Sequence, residues 1–290
     1  MKISDVVIIG KGPAGISCAL YTHRAGFRTV VVGKDLGALA GAEKIENYYG
    51  LSSPTSGTEL VLAGVEQARR LGIEVADDEV LSVEAGDSFT VSAVRESYSA
   101  RAVLLATGKK RGAPKIKGLD RFTGRGVSYC AVCDGFFYRG KRLALLGNSR
   151  YALHEYEELS HFTREITLCT GGREPEGALP PSLPIRREKL LALEGDERAR
   201  RLVFESGGDL EIDGVFVAEG TASAADFAVK IGVAAENGSV LADENGRTNL
   251  PGLFAAGDCT GGFLQVASAV SGGARAAQGI IAYLRGKTAP

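Results

Sequence analysis

The chain has 290 residues, 44% of them apolar, and a formal net charge of −1. That length predicts two domains with a substantial core, and the balanced charge leaves no broad basic excess for nucleic acid. No apolar run approaches the roughly 18 residues of a membrane span, and Asp5 interrupts the opening apolar run, so no signal peptide is read and a soluble cytoplasmic protein is expected. Asp5-Val6-Val7-Ile8-Ile9 predicts a strand, feeding Gly10-Lys11-Gly12-Pro13-Ala14-Gly15 and a helix over residues 16–25 closed by Gly26. Strand, glycine turn and helix in that order form a dinucleotide cradle. Gly10 permits the turn, Gly12 lets backbone approach a pyrophosphate, and Gly15 allows close helix–strand packing, with Pro13 and Ala14 at the helix entrance facing the anion. After the next strand, residues 29–32, Gly33 and Lys34 stand where a ribose-binding carboxylate is expected, and Asp35 is its late substitute.

Cys130-Ala131-Val132-Cys133, followed by Asp134, places two thiols within bridging reach beside a carboxylate. The spacing reads as a dithiol that cycles, because two intervening residues let the sulfurs close a small ring. A zinc site would need a second Cys or His pair. Cys18, Cys169 and Cys259 supply none, and no metal is expected. Cys18 and Cys169 read as small buried hydrophobes, and Cys259 as a packing residue. His23, His154 and His161 show no partner pattern and receive no role.

A second strand–turn–helix pattern begins at residues 142–146, but its turn reads Gly147-Asn148-Ser149-Arg150-Tyr151-Ala152. Ser149 replaces the central glycine, so a Cβ and a hydroxyl are expected to project where a pyrophosphate needs close approach, and Tyr151 adds bulk. The strand at residues 165–169 leads into Thr170-Gly171-Gly172-Arg173-Glu174-Pro175-Glu176, one arginine beside two glutamates where a nucleotide 2′-phosphate needs cations. A Rossmann-like domain that no longer binds its nucleotide is expected.

At these residues the chain resembles the low-molecular-weight thioredoxin reductases from end to end. Gly124-Arg125-Gly126-Val127-Ser128-Tyr129-Cys130-Ala131-Val132-Cys133-Asp134-Gly135-Phe136-Phe137-Tyr138 is similar to that family's active-site segment. Glu46-Asn47, Ala106-Thr107-Gly108 and the run from Gly252 to Gly257 and Asp258 match its flavin motifs, with Gln265-Val266-Ala267 replacing the usual Arg-Gln-Ala. The resemblance implies an α/β fold of two Rossmann-like (FAD/NAD(P)-binding) domains, the second inserted into the first. The FAD domain would comprise residues 1–112 and 223–290, and the inserted pyridine-nucleotide-type domain residues 113–222, with Gly112-Ala113-Pro114 at the first crossing. It further implies FAD, a homodimer, Cys133 as the sulfur nearer the flavin, Cys130 as the one that attacks or resolves the mixed disulfide, and Asp134 as proton donor or acceptor. The flavin residues it carries over are Gly10, Gly12, Pro13, Ala14, Gly15, Gly33, Lys34, Asn47, Ala106, Thr107, Gly108, Gly257, Asp258, Gln265, Val266 and Ala267.

The altered turn and the loss of the family's His-Arg-Arg loop at residues 170–172 point away from NADPH and toward the pyridine-nucleotide-independent branches, fed by ferredoxin or through a second FAD. Lys109, Lys110, Arg111, Lys115 and Lys117 could steer an acidic ferredoxin or form a solvated loop. Tyr48, Tyr49, Phe136 and Phe137 could stack an extra flavin, pack in the core or meet a partner. The expectation is a flavin-dependent disulfide oxidoreductase acting on a thioredoxin-like protein. NADPH use through a rebuilt site and a redox sensor that does not turn over stay open as alternatives.

Overall fold

The computed structural model describes residues 1–108, 116–236 and 238–286. Two compact units divide the chain, one made of residues 1–110 with 223–290 and the other of residues 111–222. In chain order, the first unit opens with β1 (Lys2–Ile9), α1 (Pro13–Arg24), β2 (Thr29–Val32), α2 (Gly57–Arg70), β3 (Glu74–Ala76), β4 (Val80–Glu84), β5 (Phe89–Ala93) and β6 (Ser97–Leu105). The second unit holds β7 (Val127–Ser128), α3 (Ala131–Asp134), β8 (Leu143–Leu146), α4 (Arg150–Ser160), β9 (Ile166–Cys169), β10 (Ile185–Arg186), β11 (Leu190–Glu194), β12 (Arg201–Phe204), β13 (Leu210–Glu211) and β14 (Gly214–Val217). The chain then returns to the first unit with α5 (Ala224–Lys230), β15 (Ala235–Glu236), β16 (Ser239–Val240), β17 (Leu253–Ala255) and α6 (Val266–Leu284).

In the first unit, β3, β2, β1 and β6 lie side by side in parallel. Beyond β6 the sheet splits: its first half pairs antiparallel with β5, which carries β4, and its second half pairs parallel with β17. Val6, Val7, Ile8 and Ile9 of β1 are all buried, the continuous apolar run of a parallel strand covered on both faces. Helix α1 starts three residues earlier than the sequence suggests, because Pro13 has no amide proton to lose and its fixed φ suits a first helical turn. Ala14, Ile16, Cys18 and Ala19 of α1 join Ala269, Ala276, Ala277 and Ile280 of α6 in one core. The two helices pack backbone to backbone, since a Cβ on Gly273 would fall 2.1 Å from the Ala14 carbonyl oxygen.

The second unit is built on a parallel sheet of order β10-β9-β8-β14-β7, with a separate antiparallel meander of β11, β12 and β13. Its core joins Ala144 and Leu146 of β8, Val215 and Val217 of β14, and Leu202 and Phe204 of β12. Strand β8 begins at Leu143 and β9 at Ile166, each one residue later than the sequence suggests, because Arg142 and Glu165 are exposed and lie ahead of the buried stretch. Lys109, Lys110, Arg111, Lys115 and the Gly112-Ala113-Pro114 crossing lie outside the described residues. Among the described residues, no helix is long and apolar enough to cross a membrane.

Candidate active site

Cys130 and Cys133 form a disulfide. Cys130 is the N-cap of α3, and its Sγ accepts the Cys133 N–H at 3.1 Å. A strand end sets this turn. Ser128, the last residue of β7, accepts the Cys130 N–H through Oγ at 3.1 Å and donates the same hydroxyl to Asp134 Oδ2 at 2.6 Å. One serine therefore ties the start of the dithiol turn to the carboxylate at its end. Cys130 is 8% exposed, whereas Cys133 is exposed. The short 3₁₀ turn that follows, Gly135–Tyr138, has three residues per turn. Gly135 and Tyr138 therefore share an inner face, where Tyr138 meets Phe216 edge-on at 5.4 Å, while Phe136 and Phe137 point outward at 62% and 74% exposure. Tyr49 is 99% exposed, so core packing accounts for none of these three rings.

The first unit brings the predicted flavin residues together. Gly10 has φ of +115°, and a Cβ there would fall 2.2 Å from the Ala106 carbonyl oxygen, so only glycine joins β1 to the turn beside β6. Gly12, the N-cap of α1, faces open space where a Cβ would stand. The α1 N-terminus has neither a side-chain cap nor an acidic residue in its first turn, which leaves backbone donors for an anion. Asn47 Nδ2 donates to Gln265 Oε1 at 3.1 Å, joining residues 218 positions apart. Gln265 is the N-cap of α6, whose first turn, led by Val266 and Ala267, also has no side-chain cap. Gly257 lies against Ala14, and the turn Asp258–Thr260 follows it.

Other predicted residues also bond within the protein. Thr107 Oγ1 accepts the Ala224 N–H at 2.9 Å, and Lys34 pairs with the buried Glu79 at 3.0 Å. Asp35 accepts the Gly37 N–H at 2.8 Å in a local turn. Lys11, which the sequence reading passed over, is buried and pairs with Asp77. Arg69 reaches the other Asp77 oxygen at 3.0 Å. The hydrogen bond from Lys11, joined by that from Arg69, holds the Asp77 carboxyl below its ordinary range.

In the second unit the altered turn differs from its expected form. Ser149 does not project outward. It is buried as the N-cap of α4 and its Oγ accepts the Ala152 N–H at 3.3 Å, because a serine at that position satisfies a helix donor locally. Tyr151 is likewise turned inward, at 1% exposure. Asn148 donates to the Glu174 carbonyl at 2.9 Å, and its own carbonyl accepts the Glu176 N–H at 2.7 Å, which folds the loop after β9 back onto the turn. Arg173 is engaged by Glu219.

The remaining cysteines are buried and unbonded to one another. Burial raises the Cys18 thiol well above its ordinary range and pushes Cys169 and Cys259 up to about 12. Cys259 Sγ lies 3.3 Å from the Leu105 carbonyl and 3.2 Å from that of Ala256. Maleimide labelling of the native reduced protein, read by mass spectrometry, is therefore expected to modify Cys130 and Cys133, with the other three reacting only after denaturation. No group of three or more metal-ligating side chains occurs among the described residues.

A glycine-turn dinucleotide cradle in one unit and a CxxC disulfide in the other define the class of flavin-type dithiol oxidoreductases. The sequence profile of the family described as Pyridine nucleotide-disulphide oxidoreductase matches residues 4–273. A thioredoxin reductase of Aquifex aeolicus is 33% identical over 99% of this chain and 95% of its own length. The crystal structure of the atypical thioredoxin reductase TRi from Desulfovibrio vulgaris Hildenborough is 41% identical, with a TM-score of 0.90 over 98% of both chains. That of a ferredoxin-flavin thioredoxin reductase from Clostridium acetobutylicum is 31% identical, with a TM-score of 0.75 over 99% of this chain and 100% of the other. The chain belongs to the thioredoxin reductase family, as a flavin-dependent disulfide oxidoreductase.

Proposed function

We propose that this enzyme reduces the disulfide of a thioredoxin-like protein with electrons that come from a donor other than NADPH. The observation that carries this reading is the closure of the second glycine turn: Ser149 occupies a helix donor that a pyrophosphate would use, and Arg173, the cation of the following loop, is engaged by Glu219. Reduced ferredoxin is the favoured donor. The structural similarity to the ferredoxin-flavin thioredoxin reductase from Clostridium acetobutylicum supports it.

The cradle of the first unit fits a dinucleotide such as FAD. Gly10, Gly12, Pro13, Ala14 and Gly15 would hold its pyrophosphate, with Asn47, Gly257, Asp258 and the Gln265 end of α6 completing the site. FAD, when bound, supplies the two-electron carrier. Gly12→Ala is expected to fold as stably as the parent yet lose flavin, because its methyl enters the open approach. Gly10→Ala is expected to lower the melting temperature, because its methyl meets the Ala106 carbonyl. Flavin absorbance after gel filtration and thermal melts check both.

At the dithiol, Cys130 attacks the protein disulfide, Cys133 resolves the mixed disulfide, and Asp134 exchanges the proton that the departing thiolate needs. Each turnover converts the enzyme dithiol to its disulfide and the protein disulfide to its dithiol. Ser128 orients the Asp134 carboxylate for this exchange. The outward Phe136 and Phe137, two and three residues past Asp134, offer the apolar surface on which a protein substrate would dock. Anaerobic spectroscopy with NADPH, NADH and reduced ferredoxin offered separately tests the donor. Bleaching of the flavin by ferredoxin alone is expected, and rapid bleaching by NADPH refutes the reading. Uptake of more electrons than one flavin and one disulfide accept indicates a second FAD instead.

A further inference from the structure

We infer that Glu155 is a positioning residue for the dithiol, holding the α3 turn so that the Cys133 N–H stays aimed at the Cys130 sulfur. This rests on the reading that Cys130 and Cys133 are the reacting pair.

Glu155 lies on the buried stripe of α4 with Tyr151, Ala152 and Leu159, and is 2% exposed. A carboxyl on such a stripe is costly to bury unless bonded, so a residue there that breaks the apolar pattern marks a specific task. Its Oε2 accepts the N–H of Ala131, itself fully buried, at 3.0 Å. That N–H belongs to the first residue of α3, directly after Cys130. The carboxyl therefore anchors a four-residue turn to an eleven-residue helix.

The anchor matters most when the disulfide is open. Reduction breaks the S–S bond and adds two electrons and two protons, removing the covalent tether between the ends of the turn. For Cys130 to attack a substrate disulfide its proton must leave, and the Cys133 N–H is the donor that stabilises the resulting thiolate. Without the Glu155 bond, the Ala131 N–H is left buried and the turn is free to rotate that donor away.

The test compares Glu155→Met, which fills the volume without an acceptor, with Glu155→Gln, which keeps an accepting oxygen, in the full-length flavin-loaded protein. One readout is hydrogen exchange at the Ala131 amide in the dithiothreitol-reduced state. A second is the pH profile of Cys130 alkylation by iodoacetamide in a Cys133→Ser background. Glu155→Met is expected to speed exchange at least about tenfold and to move the alkylation midpoint up by about one pH unit, a tenfold loss at neutral pH. Glu155→Gln is expected to stay within about threefold of the parent in both. Parental behaviour of Glu155→Met overturns the inference, and so does equal damage in Glu155→Gln. If Glu155→Met does not fold, Glu155→Asp, one methylene too short, replaces it, and unchanged exchange and alkylation there also overturn the inference. Should residue 155 control both readouts while Cys130→Ser keeps full turnover, the clamp stands and the reading of the dithiol falls.

Discussion

Serine at Cys133 is expected to abolish turnover of a protein disulfide, lowering it by at least about a thousandfold, with flavin still bound. The loss is large because no other sulfur can take over. Cys18, Cys169 and Cys259 are buried, with thiols raised so far that almost no thiolate exists near neutral pH. Serine at Cys130 is expected to be equally inactive but distinguishable, since its Cys133 would remain free to perturb the flavin spectrum. The two cysteines differ in setting: Cys130 is buried as the cap of α3 and Cys133 is exposed in the oxidised pair. In the proposed roles, attack by Cys130 would require the turn to uncover it after reduction. Trapping a mixed disulfide with a thioredoxin-like protein in the Cys133→Ser variant and none in Cys130→Ser supports the assignment, and the reverse pattern exchanges the two roles. Asp134→Asn is expected to slow turnover about a hundredfold, the usual worth of a positioned general acid or base. Ser128→Ala, which removes only the orienting hydroxyl, is expected to cost less.

NADPH is expected to bind more weakly than about 1 mM, a free energy of only about −4 kcal/mol. Calorimetric titration of the parent should show no saturable heat. Two features contribute, and each can be reversed separately. Ser149→Gly releases the helix donor now capped by its hydroxyl, at a stability cost of a few tenths of a kcal/mol, while Ser149→Ala costs about 1 kcal/mol. Glu219→Gln removes the negative charge that engages Arg173, whose Nε still donates to the Thr170 carbonyl at 3.3 Å. Because a charge-assisted hydrogen bond contributes about 1.5–3 kcal/mol, the two changes together are expected to tighten NADPH binding at least tenfold, and no gain from the pair would show that other residues exclude the nucleotide.

The parts of this protein legible in the sequence are those whose chemistry is local. The run from Asp5 to Gly15 announces a strand, a turn and a helix because its glycines work largely within a few residues, as Gly15 does against the Gly10 carbonyl. The dithiol is legible because a CxxC pair closes on itself. Residues whose meaning depends on a distant partner were not. The direction of the Ser149 hydroxyl depends on whether α4 needs a cap, and the altered glycine turn alone suggests a steric block where the structure has a satisfied donor. Lys11 sits inside the glycine motif, yet its partner is 66 positions away at Asp77. Glu155 is the instructive omission. Its signal was present, a carboxyl at the fourth position after Tyr151 on a stripe continued by Leu159, but the stripe is recognisable only once α4 has been placed against the dithiol turn.

The pairing of β17 with β6 also sets an order of assembly during synthesis. Leu253 lies beside Val103, and the chain between them includes the whole second unit. The second unit is one continuous stretch and can acquire its sheet as soon as it leaves the ribosome, whereas the first must wait for its last strand and for α6 to cover α1. Until then the Ala14 and Ala19 face of α1 remains open to water or to a chaperone. Fragments ending at residue 222 and released from the ribosome are therefore expected to protect β8, β9 and β14 from protease while β1 and β6 are still cut.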